Sequence, residues 1–176
     1  LNQIFERMSE KINKRIEAST KKNILFVYPE SALPYYFTNE NMHLLADYLP
    51  QNSRIQIFIG THIKKDEKLY NNALLLQKGR IILCYDKKLL LPFWEFTPSS
   101  NNNFLAGIFG IFLKGLSPFV PGHYTAQKFF YLDGEFFLPV LCSELFWDSF
   151  DQYPSTVNIM CLLNDSHFQN TLIRRI

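Results

Sequence analysis

Apolar positions at the start of the chain recur every three or four residues, with charged residues between them. This spacing puts the apolar side chains on one side of a helix, so it predicts an amphipathic helix over residues 1–16. A similar pattern over residues 42–49, stopped by Pro50, predicts a second helix. A last helix is expected to begin near Ser166.

Other apolar segments predict strands. Residues 24–27 and 157–163 are short, continuous apolar runs, which are typical of buried strands. Residues 55–60 alternate between apolar and more polar positions and predict a further strand.

Two further pairs of strands are predicted as hairpins. Within residues 73–85, Lys78-Gly79 forms a turn in which the glycine can adopt a positive φ. Within residues 129–141, Asp133-Gly134 forms a second turn of this kind. Helices that alternate with strands and hairpins indicate an α/β (mixed α+β) fold with a mixed sheet.

Composition narrows the class of protein. The 176 residues are a length typical of one domain, and 47% apolar residues are enough for a packed core. The net charge is only +2 and the basic residues are scattered, so we expect no nucleic-acid partner. No apolar run reaches the ~20 residues of a membrane helix, and the charged start does not resemble a signal peptide. We interpret the chain as a segment of a longer protein.

The cysteines and histidines lack the spacing of a metal site or a disulfide scaffold. Three cysteines, Cys84, Cys142 and Cys161, lie far apart along the chain. Cys84 and Cys161 fall inside apolar strands, and we assign both to the core. No metal is expected.

Three reactive residues each end an apolar segment: Glu30, Lys87 and Cys142. A carboxylate can accept a proton, an ammonium can stabilise an oxyanion and a thiolate can attack a carbonyl carbon. A free thiol has a pKa of about 8.5, so it needs a suitable neighbour or a helix N-terminus to ionise near neutral pH. Together the three residues predict thiol-based acyl transfer.

Each of these residues also has a simpler interpretation. Cys142 could be a small apolar residue in the core, Glu30 a solvated carboxylate in a turn and Lys87 an ordinary surface lysine. Lys88 lies outside the register of the motif, so we expect it to be dispensable. The occurrence of all three residues in this order favours a catalytic role.

The segments around these residues resemble the nitrilase (carbon–nitrogen hydrolase) superfamily and, within it, the apolipoprotein N-acyltransferase family. The resemblance covers residues 25–168. It departs from the family pattern at Leu89, Trp94 and Ser143. The matching segments are Pro29-Glu30-Ser31-Ala32-Leu33-Pro34, Tyr85-Asp86-Lys87, Leu90-Leu91-Pro92-Phe93, Glu95, Ser117-Pro118-Phe119, Pro121-Gly122, Cys142, Glu144, Asn164-Asp165 and Phe168.

The resemblance implies a fold and a set of roles. The implied fold is a nitrilase-type α-β-β-α sandwich, present here as a partial domain over residues 1–176 that is incomplete at both ends. The implied catalytic residues are Glu30 as base, Lys87 as oxyanion stabiliser and Cys142 as nucleophile. Glu95 would help to hold the lysine and Glu144 would shape the cysteine turn, although either could be a plain surface charge.

The resemblance also implies an activity. An acyl chain would move from a phospholipid, through a thioester on the cysteine, to the N-terminal amine of an apolipoprotein, without any cofactor. The implied location is the bacterial inner membrane, with the catalytic domain facing the periplasm. A lid-like loop over residues 97–122 could contact the membrane surface or the acyl chain, or could instead be a short buried helix. Its apolar positions include Phe104, Leu105, Ile108, Phe109 and Phe112.

Three alternatives stay open at this point. The chain could be a soluble nitrilase or amidase that hydrolyses C–N bonds with water as the acceptor. It could be a divergent, conjugation-associated paralogue. It could also be an inactive, truncated remnant.

Overall fold

The computed structural model describes residues 2–21, 23–33, 35–38, 40–91, 95, 119–123 and 129–164. Most of the predicted loop over residues 97–122, with its five apolar positions, lies outside these residues. The predicted last helix and the matches at Asp165 and Phe168 also lie outside them.

The described helices and strands follow one another along the chain as a mixed α/β fold, as predicted. The helices are α1 (Asn2–Glu17), α2 (Met42–Asp47) and α3 (Glu144–Trp147), with a 3₁₀ turn at Phe150–Gln152. The strands are β1 (Ile24–Val27), β2 (Tyr36–Thr38), β3 (Ile55–Lys65), β4 (Lys68–Gln77), β5 (Arg80–Asp86), β6 (Phe130–Leu132), β7 (Glu135–Leu141) and β8 (Val157–Leu162).

The strands form two sheets. The first has the order β1-β3-β4-β5, and β2 pairs with the far end of β3. Strands β1 and β3 are parallel, whereas β3, β4 and β5 are antiparallel. The second sheet has the order β6-β7-β8, with an antiparallel hairpin and a parallel pair.

The first sheet is buried on both faces because its side chains alternate between two apolar clusters. One face packs against α1 and α2 through residues such as Ile59 and Leu74. The other face packs against the second sheet through Phe58, Leu75 and neighbouring residues, which meet Phe130. The described layers are therefore helix, sheet and sheet.

The turns explain why the hairpins form. Lys78-Gly79 and Asp133-Gly134 both have positive φ at their two central positions, as two-residue hairpins require. A third turn of this kind, at Asp66-Glu67, was not predicted. It extends β3 and β4 well beyond the strands expected from the sequence.

Three predictions of burial were wrong. Val27 in β1 is 51% exposed, and β8 is exposed over part of its length. Cys161 is half-buried rather than in the core, whereas Cys84, also half-buried, packs against the core cluster as predicted. A strand with few neighbours in its sheet keeps apolar residues accessible, and the apolar runs alone do not reveal this.

Candidate active site

Glu30 lies shortly beyond β1, in a turn held against β3. Gly60 donates a backbone hydrogen bond to Pro29 (3.3 Å) and accepts one from Ala32 (3.1 Å). A Cβ atom at residue 60 would lie 2.5 Å from the Glu30 Cα atom, so this close approach requires glycine. Ser31 adopts a φ of 54°, which reverses the chain, and the Glu30 side chain is buried.

Lys87 lies directly after β5, and its side chain is only 1% exposed. Its N–H donates to the carbonyl of Asn71 (2.8 Å), and its carbonyl accepts from the N–H of Gly122 (2.8 Å). These bonds fix the backbone on both sides. A buried ammonium needs charged or hydrogen-bonding partners, because burial without them is costly.

Those partners are two carboxylates. The Lys87 Nζ atom lies 2.9 Å from Glu30 Oε1 and 2.9 Å from Glu95 Oε1. The amide of Asn71 donates to the same two oxygens, at 2.8 Å each. The second oxygen of Glu95 accepts from the N–H of Leu91 (2.8 Å). Four side chains from separate parts of the chain thus form one network.

The network keeps the lysine charged. Burial alone would lower the pKa of Lys87, but its attraction to Glu30 and Glu95 outweighs burial and raises that pKa above its ordinary value. The Lys87 ammonium has three N–H donors, and among the described residues two of them bind these carboxylates. An ammonium in this position can therefore stabilise a neighbouring oxygen on which negative charge develops.

Cys142 follows β7 at a sharp turn. Its φ of 44° is uncommon for a residue with a side chain. Its N–H donates to the carbonyl of Leu162 (2.9 Å), and its carbonyl accepts from the N–H of Leu145 (3.1 Å). The turn thereby ends the strand, begins α3 and leaves the thiol half-buried.

The thiol is neutral at rest. Burial, the charge of Glu30 and a side-chain hydrogen bond with Glu30 raise the pKa of Cys142 to about 11, although Lys87 lowers it. Its neighbours therefore do not ionise the sulfur at neutral pH. The arrangement is instead that of a protonated thiol beside a carboxylate that can accept its proton.

Glu144 ties two loops together from a position that is 1% exposed. Its Oε1 atom accepts from the N–H groups of Lys88 (2.6 Å) and Leu89 (3.2 Å) and from the hydroxyl of Tyr85 (3.0 Å). Its Oε2 atom accepts from the N–H of Leu141 (2.9 Å). The carboxylate links the loop after β5 to the turn after β7.

The structure brings the sequence-predicted residues together. Glu30, Lys87 and Glu95 share one network, Cys142 lies beside Glu30, and Glu144 supports the cysteine turn. Glu95 is partly buried and Glu144 fully buried, so the alternative of plain surface charges is wrong for both.

Sequence reasoning missed Asn71. The strand that carries it was predicted to begin at residue 73, whereas β4 begins at Lys68. The signal available was the pair Asn71-Asn72 between apolar residues. In a strand such a pair puts one amide on each face.

Within the described residues, no group of His, Cys, Asp and Glu side chains is arranged to hold a metal ion. None of the described helices combines the length and the apolar character needed to cross a membrane.

The chain is similar in sequence to apolipoprotein N-acyltransferases. It is 32% identical to that of Aquifex aeolicus over 169 residues, which are 95% of this chain and 36% of the relative. It is 31% identical to that of Helicobacter pylori over 127 residues, 72% of this chain and 29% of the relative. The chain thus spans about a third of the length of these relatives. No family model matches it.

Solved structures give the fold. A branch 10 member of the nitrilase superfamily from Saccharomyces cerevisiae aligns with a TM-score of 0.52 and 16% identity over 80% of this chain and 49% of that chain. A carbon–nitrogen hydrolase from Helicobacter pylori aligns with a TM-score of 0.50 and 15% identity over 81% of this chain and 47% of that chain. The chain has the nitrilase fold. The predicted fold class and the predicted resemblance are confirmed.

Proposed function

We propose that this chain is the catalytic part of an N-acyltransferase that uses Glu30, Lys87 and Cys142. The observation that carries the proposal is the single buried network in which Lys87 contacts Glu30 at 2.9 Å, with Cys142 beside that carboxylate. The similarity to apolipoprotein N-acyltransferases supports the choice of acyl transfer within the nitrilase fold.

The first half-reaction loads the cysteine. Glu30 takes the proton of the Cys142 thiol while the sulfur attacks the ester carbonyl of a phospholipid. Lys87 stabilises the negative oxygen of the tetrahedral intermediate. The ester C–O bond then breaks, and Glu30 returns the proton to the departing lysophospholipid oxygen. The product is a thioester on Cys142, and Glu30 is again a carboxylate.

The second half-reaction transfers the acyl chain. The N-terminal amine of an apolipoprotein attacks the thioester carbonyl and forms the C–N bond. Glu30 accepts a proton from the attacking nitrogen and gives it to the departing sulfur. The site is thereby restored with a neutral thiol, in agreement with the raised pKa of Cys142. No step requires a metal or an organic cofactor.

The proposal includes the membrane surface. The enzyme would act at the bacterial inner membrane, with this domain on the periplasmic side. The loop over residues 97–122 would contact the acyl chain through residues such as Phe109 and Phe112. Replacing both by Ser should raise KM for a long-chain phospholipid more than for a short-chain ester. Equal effects on the two substrates would contradict this role.

A hydrolase is the second candidate function. Solved structures with this fold include an amidase from Nesterenkonia and a carbon–nitrogen hydrolase. In a hydrolase the same three residues would load Cys142, and water would replace the amine. The two functions differ in the donor, which is an ester or an amide, and in the acceptor, so the fate of the acyl group helps to separate them.

The test uses the full-length protein and mass spectrometry of Cys142. Incubation with phospholipid should add one acyl chain to this residue, and a later apolipoprotein peptide should remove it as an N-acyl product. The Cys142→Ala variant should carry no adduct. Release of free fatty acid in place of N-acyl peptide would favour the hydrolase. An unmodified cysteine, or an adduct that persists in Cys142→Ala, would contradict the acyltransferase.

A further inference from the structure

Asn71 lies near the start of β4, is 2% exposed and contacts the network in three ways. Its amide donates to Glu30 Oε1 and to Glu95 Oε1, each at 2.8 Å. Its backbone carbonyl accepts from the N–H of Lys87 at 2.8 Å. One residue therefore touches both carboxylates and the lysine.

The charges of the network explain why such a residue is needed. Glu30 and Glu95 are two carboxylates that share a single ammonium, that of Lys87, so the buried group carries a net negative charge. Carboxylates that share a site repel each other, so each needs donors that hold it in place. A displaced Glu30 carboxylate would no longer be aimed at the thiol or at Lys87.

The amide of Asn71 is oriented by these carboxylates. An amide nitrogen carries two hydrogens, and here each has its own carboxylate acceptor. The opposite orientation would place the carbonyl oxygen against two negative groups. Asn71 Oδ1 has no hydrogen-bond partner within the described part of the chain, although it is buried. Asn71 thus donates both of its amide hydrogens to the network, while its carbonyl oxygen has no partner among the described residues.

We propose that Asn71 is a positioning residue that holds the carboxylates of Glu30 and Glu95 together and aimed at Lys87. The inference rests on the proposed function, because it assigns to Asn71 the readiness of Glu30 as the base for Cys142. It adds a neutral fourth member to the network.

Asn72 supplies a matched control. It is buried, it is the next residue of the same strand, and its side chain lies on the opposite face, where it donates to Asp86. Asn71→Leu and Asn72→Leu remove the same amide and keep a similar volume. Any loss of stability or activity that comes simply from removing a buried amide should appear in both variants.

The experiment measures, at neutral pH, the rate at which p-nitrophenyl butyrate acylates Cys142 as a function of ester concentration, by quenching and mass spectrometry of the full-length protein. In Asn71→Leu the rate at saturating ester should fall about tenfold, whereas the ester concentration that gives half of this rate should change by less than about twofold, because a misplaced base slows the chemical step. In Asn72→Leu both quantities should stay within about twofold of those of the unchanged protein. Circular dichroism verifies that each variant is folded.

The possible results separate two failures. An unchanged saturating rate in Asn71→Leu, or an equal fall in both variants, overturns the positioning role while leaving the acylation of Cys142 intact. Absence of acylation in the unchanged protein overturns the proposed function and this inference with it. If Asn71→Leu does not fold, Asn71→Asp is decisive. It replaces the two N–H donors by a third carboxyl group, so its saturating rate should also fall, and an unchanged rate would overturn the proposal.

Discussion

Polar and charged side chains lie at both ends of the apolar layer between the two sheets, but they differ in burial and in their bonding partners. At one end, Lys87 and its partner carboxylates are buried and bonded to one another. At the other end, polar side chains surround an open pocket of about 260 Å³. There Asn23 donates to Asp133 in an exposed position, and Arg54 donates to backbone carbonyls. The pocket is lined by Asn23, Arg54, Gln56, Gln77, Tyr131, Leu132 and Asp133.

The comparison shows that polar residues and a cavity do not by themselves make a reactive site. Charges exposed to water interact weakly, because solvent screens them. Buried charges that pair with one another can shift the proton affinity of a neighbour, as Glu30 does for the thiol of Cys142. The network end of the layer is therefore where we place the proposed chemistry, and the open pocket lies at the opposite end.

Replacing the base should have the largest effect. In Glu30→Gln no carboxylate can take the thiol proton, so the rate of acylation of Cys142 should fall by about 10²–10⁴-fold. The measurement is single-turnover acylation at neutral pH. An acylation rate within threefold of that of the unchanged protein would show that another group acts as the base.

Replacing the lysine should have a slightly smaller effect, and its neighbour provides the control. Lys87→Met removes the oxyanion partner and should slow acylation by about 10²–10³-fold. Lys88 is also buried, 8% exposed, and its ammonium lies over the ring of Tyr85 at 5.6 Å, away from the two carboxylates. Lys88→Met should therefore keep most of the activity and lose some stability. Similar activity losses in both variants would contradict the assignment of Lys87.

Replacing Glu144 should lower the stability of the fold more than it lowers the rate of acylation. Glu144→Gln keeps the size but removes the negative charge that accepts four hydrogen bonds, so the free energy of unfolding should fall by about 1–3 kcal/mol. Chemical denaturation measures this change. Tyr85→Phe removes one of those bonds and should cost about 1 kcal/mol. A cost for Tyr85→Phe that exceeds the cost for Glu144→Gln would argue against Glu144 as the centre of this link.

Substitutions at the open end should have the smallest effect. Arg54→Gln and Asp133→Asn remove exposed or half-exposed charges whose contribution to stability is about 0–1 kcal/mol each. Acylation of Cys142 should stay within twofold of the unchanged rate, which single-turnover kinetics can resolve. A large loss of activity in either variant would show that the open end also takes part in the reaction.

Local features of the fold could be predicted from the sequence. Helix α1 follows from its apolar spacing, and two hairpins follow from Lys78-Gly79 and Asp133-Gly134, because such signals act between neighbouring residues. Strand β2 and the Asp66-Glu67 turn escaped prediction. The three residues of β2 are too few to show a periodic pattern, and the turn carries no glycine that would reveal it.

The site could be predicted only in part. Glu30, Lys87 and Cys142 lie in short recognisable segments, so a resemblance could identify them. Asn71 and Gly60 matter through contacts with residues far away along the chain. The need for glycine at residue 60 appears only when the Glu30 turn is seen against β3. Such requirements depend on the fold and leave no local pattern.

Whether Glu30 and the Cys142 thiol share one site is best measured at the thiol itself. The measurement is the rate of its alkylation by iodoacetamide as a function of pH, with peptide mass spectrometry to separate it from Cys84 and Cys161. We expect a midpoint near a pKa of about 11 for Cys142 in the unchanged protein. In Glu30→Gln the midpoint should fall, because the charge and the hydrogen bond of Glu30 both raise that pKa. An identical midpoint in the two proteins would mean that the carboxylate and the thiol do not share one site.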